Sequence, residues 1–440
     1  MSTQSPNANI ESLIRFYVEH IHLYPGESNE NVELEVKFAT RGKYKVTRIE
    51  YNNAIRHLVS SGFAIGEKQS LLRIFNEFID VNTGKKILSD IRSEIKGMGN
   101  ISKYCKTNEL SKDMNPTYQK KKTLYRGGEK IHPINNDDFN FRTIIKIEKD
   151  FAEDNPIIKS TLETWKDSKK IFRYISRNTL TSDKHPFKVD VSIVKSSKTV
   201  NRRLVAEYNL IDSATLQSEE IYEIEIEVDN NKVKNMINDI INSFPEAPKD
   251  QTKIINVVSL IIDKSIKKVI KYILSGIQET SYPVSYPEMD EISQEYMKLL
   301  WKEKYKPNMR LYPKNFVGPS QYTLQMQNIM PISDDITVPN IRNNFTVTEK
   351  ADGSRKLLFI NKRGRIYLIS TNMKVQFTGV ITQNKEIFNT LIDGEHILYN
   401  KKHEFINMYA AFDIYYVNNK DVRTLEFTSS KMESKDYRLV

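Results

Sequence analysis

Two acidic stretches and one lysine-centred hexapeptide hold the residues of this chain that are spaced to do chemistry. "VELEVKF" (32–38) alternates strictly: Val32, Leu34, Val36 and Phe38 lie on one side, Glu33, Glu35 and Lys37 on the other. "YEIEIEVD" (222–229) repeats the design, with Ile224, Ile226 and Val228 opposing Glu223, Glu225, Glu227 and Asp229. Glutamate is a poor strand former, and charges at i, i+2 and i+4 repel across roughly 7 Å, so a cation should sit against them. The hexapeptide "KADGSR" (350–355) places an Asp352-Gly353 turn signal between Lys350 and Arg355. A neutral lysine amine can attack an α-phosphorus and form a phosphoramidate, which splits one group transfer into two steps. It must first lose a proton from a reference pKa of about 10.4, which desolvation and a neighbouring cation such as Arg355 favour.

Strands between the acidic stretches supply cations. "SDIRSEIKG" (89–97) puts Arg92, Glu94 and Lys96 on one face, and "FRTIIKIEKD" (141–150) does so with Lys146 and Glu148. "FRYISRNTL" (172–180) aligns Arg173 with Arg177, and "FKVDVSIVK" (187–195) sets Lys188, Asp190 and Ser192 against Phe187, Val189, Val191 and Ile193. Ordinary amphipathic strands with solvated outer faces give the same pattern. A closed antiparallel barrel would instead turn the charged faces inward, with helices covering the outside. Its carboxylates would make a hard-oxygen site for Mg²⁺ or Mn²⁺, and its basic residues would hold a polyphosphate.

The rest of the chain sets the frame for these residues. At 440 residues and 51.3 kDa it is too long for one ordinary core, and two or three domains are expected. A net charge of +10 leans toward a polyanionic partner. The single cysteine, Cys105, excludes an internal disulfide framework and fits a reducing compartment. No signal-peptide pattern opens the chain, and "IINVVSLIIDKSIKKVIKYIL" (254–274), broken by Asp263 and Lys264, reads as an amphipathic helix. Helical periodicity is expected over 10–24, 231–279 and 291–305. Alternation dominates from Val32 to Asp229, and "SYPVSYPEMD" (281–290) reads as a boundary before a second strand-rich region.

The paired Glu-x-Glu strands, "ELEVK" and "EIEIE", resemble those of the triphosphate tunnel metalloenzymes. "RSEIKG", "YCKTN" and "FKVDVSIVKS" resemble the RNA triphosphatase branch found in capping enzymes of large cytoplasmic DNA viruses. That resemblance implies a divalent metal, Mg²⁺ or Mn²⁺, on Glu33, Glu35 and Glu227, with Glu223 and Glu225 as further catalytic carboxylates. It also implies a triphosphate held by Lys37, Arg92, Arg173, Arg177 and Lys188, with Asp190 among them. "KADGSR" fits Lys-x-Asp-Gly-x-Arg, the signature of covalent nucleotidyltransferases, and "TLIDGEHILY" (390–399) and "MYAAFDIYYVNNKDVR" (408–423) follow in the family's order. Upstream, "VGPSQYTLQMQNI" (317–329) is similar to the segment leading into capping guanylyltransferase domains. The resemblance implies Lys350 as nucleophile, Asp352, Gly353, Arg355 and Glu395 around GTP, and Phe412 stacked on the base. His396 is expected to be a strand residue and no ligand.

The expected architecture is α+β. A triphosphatase tunnel, an antiparallel β-barrel with surrounding helices, would span 1–235. A helical connector would follow over 236–290, then a partial guanylyltransferase domain over 291–440, truncated before the family's later motifs. The implied function is mRNA 5′-capping: metal-dependent hydrolysis of the γ-phosphate of 5′-triphosphate RNA, then GMP transfer from GTP through a lysine–GMP intermediate. The second activity is expected to be incomplete in this chain. Implied partners are triphosphate RNA, GTP and a methyltransferase domain or subunit outside the chain, with no membrane, in the host cytoplasm or viral factory. Two other readings remain open: a small-molecule triphosphatase or cyclase using the same tunnel, and a non-catalytic RNA-binding module. The appended lysine domain weighs against the first, and the intact acidic strands weigh against the second.

Overall fold

Alternating segments make the first unit's wall. They are β1 (Glu30–Phe38), β2 (Gln69–Ile79), β3 (Ile91–Lys96), β4 (Thr117–Thr123), β5 (Phe141–Phe151), β6 (Lys170–Thr181), β7 (Phe187–Ser196) and β8 (Ile221–Val228). β1 pairs with β8 and β5, and the order runs on through β4, β3, β2, β6 and β7 back to β8. Every pairing is antiparallel, so these eight strands close into a barrel as the charged faces had suggested. The structure, a computed structural model, describes residues 6–23, 30–39, 44–80, 82–201, 203–243, 251–332, 338–343, 345–428 and 438. It divides into two units, Met1–Glu279 and Thr280–Val440.

The barrel's apolar core lies outside its wall. Leu34, Val36, Val189, Val191, Ile224 and Ile226 pack in one buried cluster with residues of α1 (Pro6–Leu23), α2 (Arg48–Ser60), α5 (Asn230–Ser243) and α6 (Gln251–Gln278). On another side, Leu72, Ile74, Ile95 and Phe172 pack with residues of α3 (Met98–Thr107) and with Leu162 of α4 (Pro156–Glu163). With the strands' apolar sides spent on helices, their polar sides are left to line the interior. α6 touches α2 where a Cβ on Gly276 would lie 2.5 Å from the Ala54 Cα, so the close approach requires glycine. α5 and α6, expected as a connector, therefore pack on the barrel, and the division falls after Glu279.

In the second unit, α7 (Tyr286–Trp301) begins inside the stretch read as a boundary. Ser285 caps it by accepting from the Glu288 amide, and a proline is tolerated in the first turn because its missing N–H is unbonded there anyway. A six-stranded sheet follows, in the order β11 (Val375–Ile381), β10 (Arg365–Ser370), β9 (Ser354–Ile360), β12 (Thr390–Tyr399), β13 (Phe405–Val417), β14 (Lys420–Asp421). Leu357, Phe359, Ile369 and Leu391 share a buried cluster with Ile292, Tyr296 and Met297 of α7. Among the described residues, no helix is long and apolar enough to cross a membrane.

Candidate functional site: a charged lumen and a lysine-bearing loop

The barrel register gathers the expected lumen residues on inner faces. Glu35 stands directly opposite Glu227, Lys37 opposite Glu225, Lys188 opposite Glu227 and Asp190 opposite Glu225. Like charges facing each other across strands destabilise a sheet unless a cation intervenes, and cations do. Lys37 Nζ lies 2.9 Å from Glu35 and 2.8 Å from Glu225. Arg177 pairs with Asp190 at 2.5 Å and with Glu225 at 3.5 Å, while Thr179 donates to Asp190 at 2.6 Å. Arg173 meets Glu223 at 2.5 Å, and Arg92 meets Glu148 at 2.5 Å and Gln119 at 2.7 Å.

Two further cations complete this wall without having been expected. Lys121 Nζ bridges Glu33 at 2.5 Å and Glu35 at 2.6 Å, and Arg73 pairs with Glu94 at 2.7 Å. Lys120, Lys121 and Lys122 are consecutive, so alternation cannot choose the inward one. Leu71 shares the inward side of β2 with Arg73, which hides the charged face there.

Burial sets the electrostatics. It pushes the Glu33 carboxyl above the usual carboxylate range. Burial opposes charge on Glu35 too, but Lys37 and Lys121 outweigh it and hold that carboxyl low. Glu227 is raised by burial; Lys188 pulls it back, and Asp190 and Glu35 push it further up. Lys146 is lowered by burial and by the neighbouring Lys121. Among the described residues, the side chains of Glu227, Lys146 and Lys188 make no hydrogen bond or salt bridge.

Among the described residues, no three carboxylate, imidazole or thiol groups are gathered closely enough to hold a metal ion as they stand. The donor chemistry nonetheless fits a hard divalent cation. Glu33 and Glu35 already share one cation, the Lys121 ammonium, and Glu227 stands opposite Glu35 with its carboxylate unpartnered.

In the second unit, Lys350 and Asp352 are exposed in the segment leading into β9. A Cβ on Gly353 would lie 2.5 Å from the His396 carbonyl oxygen and 3.1 Å from Glu395 Cγ, so glycine lets this loop press onto β12 beside Glu395. Glu395 is half-buried and, among the described residues, unpartnered; Phe412 on β13 is 37% exposed. Arg355 is committed elsewhere. It grips Asp393 with Nη2 at 2.5 Å and Nε at 3.1 Å, and donates to the Pro319 carbonyl at 2.6 Å. Asp393 is fully buried and also accepts from the Tyr415 hydroxyl at 2.5 Å.

The glycine of Asp-Gly-Glu has its own reason. A Cβ on Gly394 would meet the Tyr409 ring and the Ala410 carbonyl at 2.6 Å. Tyr409 instead crosses the bare strand and donates to the carbonyls of Lys356 and Ile392 at 2.8 and 3.0 Å. His396, expected as a plain strand residue, lies 3.0 Å from the buried Lys356 ammonium through Nδ1 and 2.9 Å from Asn407 Oδ1 through Nε2. An ammonium only donates, so Nδ1 accepts and Nε2 carries the proton toward Asn407.

Residues 284–434 match the family described as mRNA capping enzyme, catalytic domain. A probable mRNA-capping enzyme from Acanthamoeba polyphaga mimivirus is 27% identical over 254 residues, 58% of this chain. The chain spans only 16% of that relative's length. Among solved structures, the RNA triphosphatase domain of a trifunctional mimivirus mRNA capping enzyme aligns with 57% of this chain and 98% of its own, at 18% identity and a TM-score of 0.32. The S. pombe Pct1 RNA triphosphatase aligns with 61% of this chain and 93% of its own, at 12% identity and a TM-score of 0.33.

Proposed function

We propose that the first unit removes the terminal phosphate of triphosphate-ended RNA and that the second takes up GMP on Lys350, two successive steps in building an mRNA cap. One observation carries the first half: Lys146 and Lys188 lack acidic partners in an enclosed wall otherwise knit by ion pairs. Half-buried ammonium groups without a bonded counter-ion are available to a linear polyanion, which can accept from both. Glu33, Glu35 and Glu227 would hold a divalent cation, Mg²⁺ or Mn²⁺. When bound, that cation supplies positive charge to a phosphoryl oxygen.

The chain's own side chains do the rest. Lys146, Lys188 and Arg173 hold phosphate oxygens, and a lumen carboxylate takes a proton from the attacking water. The water oxygen bonds to the γ-phosphorus as the bond to the β–γ bridging oxygen breaks, leaving a diphosphate end and inorganic phosphate. The neutral Lys350 amine then attacks the α-phosphorus of GTP. A P–N bond forms and the amine gives up a proton as the bond from that phosphorus to the α–β bridging oxygen breaks and pyrophosphate leaves. An oxygen of the diphosphate end then takes the phosphorus, breaking the P–N bond and returning the lysine. The family match over 284–434 supports this second half. A methyltransferase domain or subunit would complete the cap.

Phosphate release from γ-labelled RNA tests the tunnel. Glu227→Ala and Lys188→Ala should each lower it by about 10²-fold, the scale of losing one preorganised charge at a reacting phosphate. Full activity in excess chelator, or in both variants, would refute the tunnel reading. Lysine–GMP formation from α-labelled GTP tests the second unit, and an adduct that persists in Lys350→Ala would rule out that lysine.

A further inference from the structure

The Lys121 ammonium sits between the two carboxylates of β1. Its side chain is 25% exposed, those of Glu33 and Glu35 only 12% and 8%. Lys37 takes the second oxygen of Glu35, so both oxygens of that carboxylate are engaged by lysines. A divalent ion bound to Glu33 and Glu35 needs their oxygens at about 2.0–2.6 Å. The ammonium already fills that position, and two cations side by side repel strongly in a poorly solvated space. Directly opposite Lys121 on β5 stands Glu148. Its present partner, Arg92, is shared with Gln119. A carboxylate able to receive the displaced ammonium therefore lies one strand away.

We propose that Lys121 is a resident cation that holds Glu33 and Glu35 together in the metal-free chain and is driven out by an incoming divalent ion. Metal loading then becomes an exchange of one cation for another, and it releases an ammonium into the lumen that receives the phosphates. This rests on the reading that the tunnel carboxylates hold a divalent cation. The lysine competes with the metal, so removing it tightens metal binding. Removing it also leaves Glu33 and Glu35 without the cation that bridges them until metal arrives.

The test is calorimetric Mn²⁺ binding and thermal melting of the full chain, with and without Mn²⁺, for wild type, Lys121→Met and Lys146→Met. Lys146 is a lumen cation without a carboxylate partner, so its loss measures the general effect of deleting one positive charge. Lys121→Met should bind Mn²⁺ at least about tenfold more tightly than Lys146→Met, the scale of removing one competing charge-assisted hydrogen bond. It should also melt lower than wild type without Mn²⁺ and gain more from the ion. A second readout uses only wild type: the acetylation rate of Lys121, followed by mass spectrometry, should rise as Mn²⁺ saturates the chain. Equal Mn²⁺ affinity in the two variants, or a Lys121 acetylation rate indifferent to bound Mn²⁺, overturns the exchange while leaving the metal site standing. Failure of both wild type and Lys121→Met to bind Mn²⁺ overturns the metal reading itself.

Discussion

Arg355→Ala is expected to destabilise the second unit by about 3 kcal/mol, independently of any effect on nucleotide uptake. The Asp393 carboxylate is fully buried and accepts three hydrogen bonds, two from Arg355 and one from Tyr415. Removing the guanidinium leaves a buried charge with one neutral donor. Breaking such a pair costs about 3–5 kcal/mol. The Arg355 side chain is 22% exposed, so water reaches part of the gap and the lower end applies. At about 2–4 °C per kcal/mol for a unit of this size, the midpoint should fall by about 6–12 °C. The chain has two tryptophans, Trp165 and Trp301, so Trp165→Phe leaves Trp301 as the only indole. Its fluorescence then follows the second unit through thermal and urea unfolding of the whole chain. In the double variant with Asp393→Asn, which carries no charge to strand, the loss should fall short of the sum of the singles by about 2 kcal/mol. An Arg355→Ala unfolding free energy unchanged within about 0.5 kcal/mol, together with lost GMP labelling, would mean that this arginine is kept for the nucleotide and the ion pair is incidental.

Two more outcomes follow from buried geometry. Lys170 is fully buried, donates to the Ser168 carbonyl at 2.7 Å, and is pushed down by burial to about 8. Between there and its unfolded value of about 10.4 the unfolded chain binds more protons, so this lysine's penalty is complete below pH 8 and is relieved as pH rises. The stability of wild type relative to Lys170→Met should therefore climb by up to about 3 kcal/mol from pH 8 to 10.5, and a flat difference curve would contradict the buried ammonium. Gly394→Ala must displace either the Tyr409 ring or the β13 backbone, and should cost about 1–3 kcal/mol by the same fluorescence assay. A neutral result would show that Tyr409 does not cross the strand as described.

Strict alternation made much of the lumen readable in advance. In β1, β7 and β8 a polar residue follows each apolar one almost without exception, so spacing separated the two faces, and closure of the barrel decides which of them points inward. The same rule has no purchase on β4, where three lysines run together. There the barrel's stagger decides: Lys121 stands opposite Glu148 yet reaches past β5 to Glu33 and Glu35. In the second unit the Asp-Gly-Glu motif was visible, but the division of labour within it was not. Asp393 is buried because β13 brings Tyr415 and β9 brings Arg355 to it, contacts 22 and 38 residues away in the chain.

The two candidate sites treat their cations in opposite ways, and their chemistry explains why. In the lumen, Lys37, Lys121, Arg92, Arg173 and Arg177 each rest on a carboxylate, so the protein carries their charge into a poorly solvated interior without bearing its full desolvation cost. Under the proposed phosphatase reading, phosphate binding there would be a change of partners, which a site that releases product after each turnover can reverse. Lys350 stands exposed, and among the described residues its side chain makes no salt bridge. A nucleophilic amine gains from that arrangement: an acidic partner would stabilise the ammonium and keep the attacking lone pair out of reach. Arg355, gripped by Asp393, is also withheld from the role of freely moving counter-charge. The two arrangements are therefore opposite in kind: paired cations that can trade partners in the lumen, and in the second unit a lysine with, among the described residues, no carboxylate to give up.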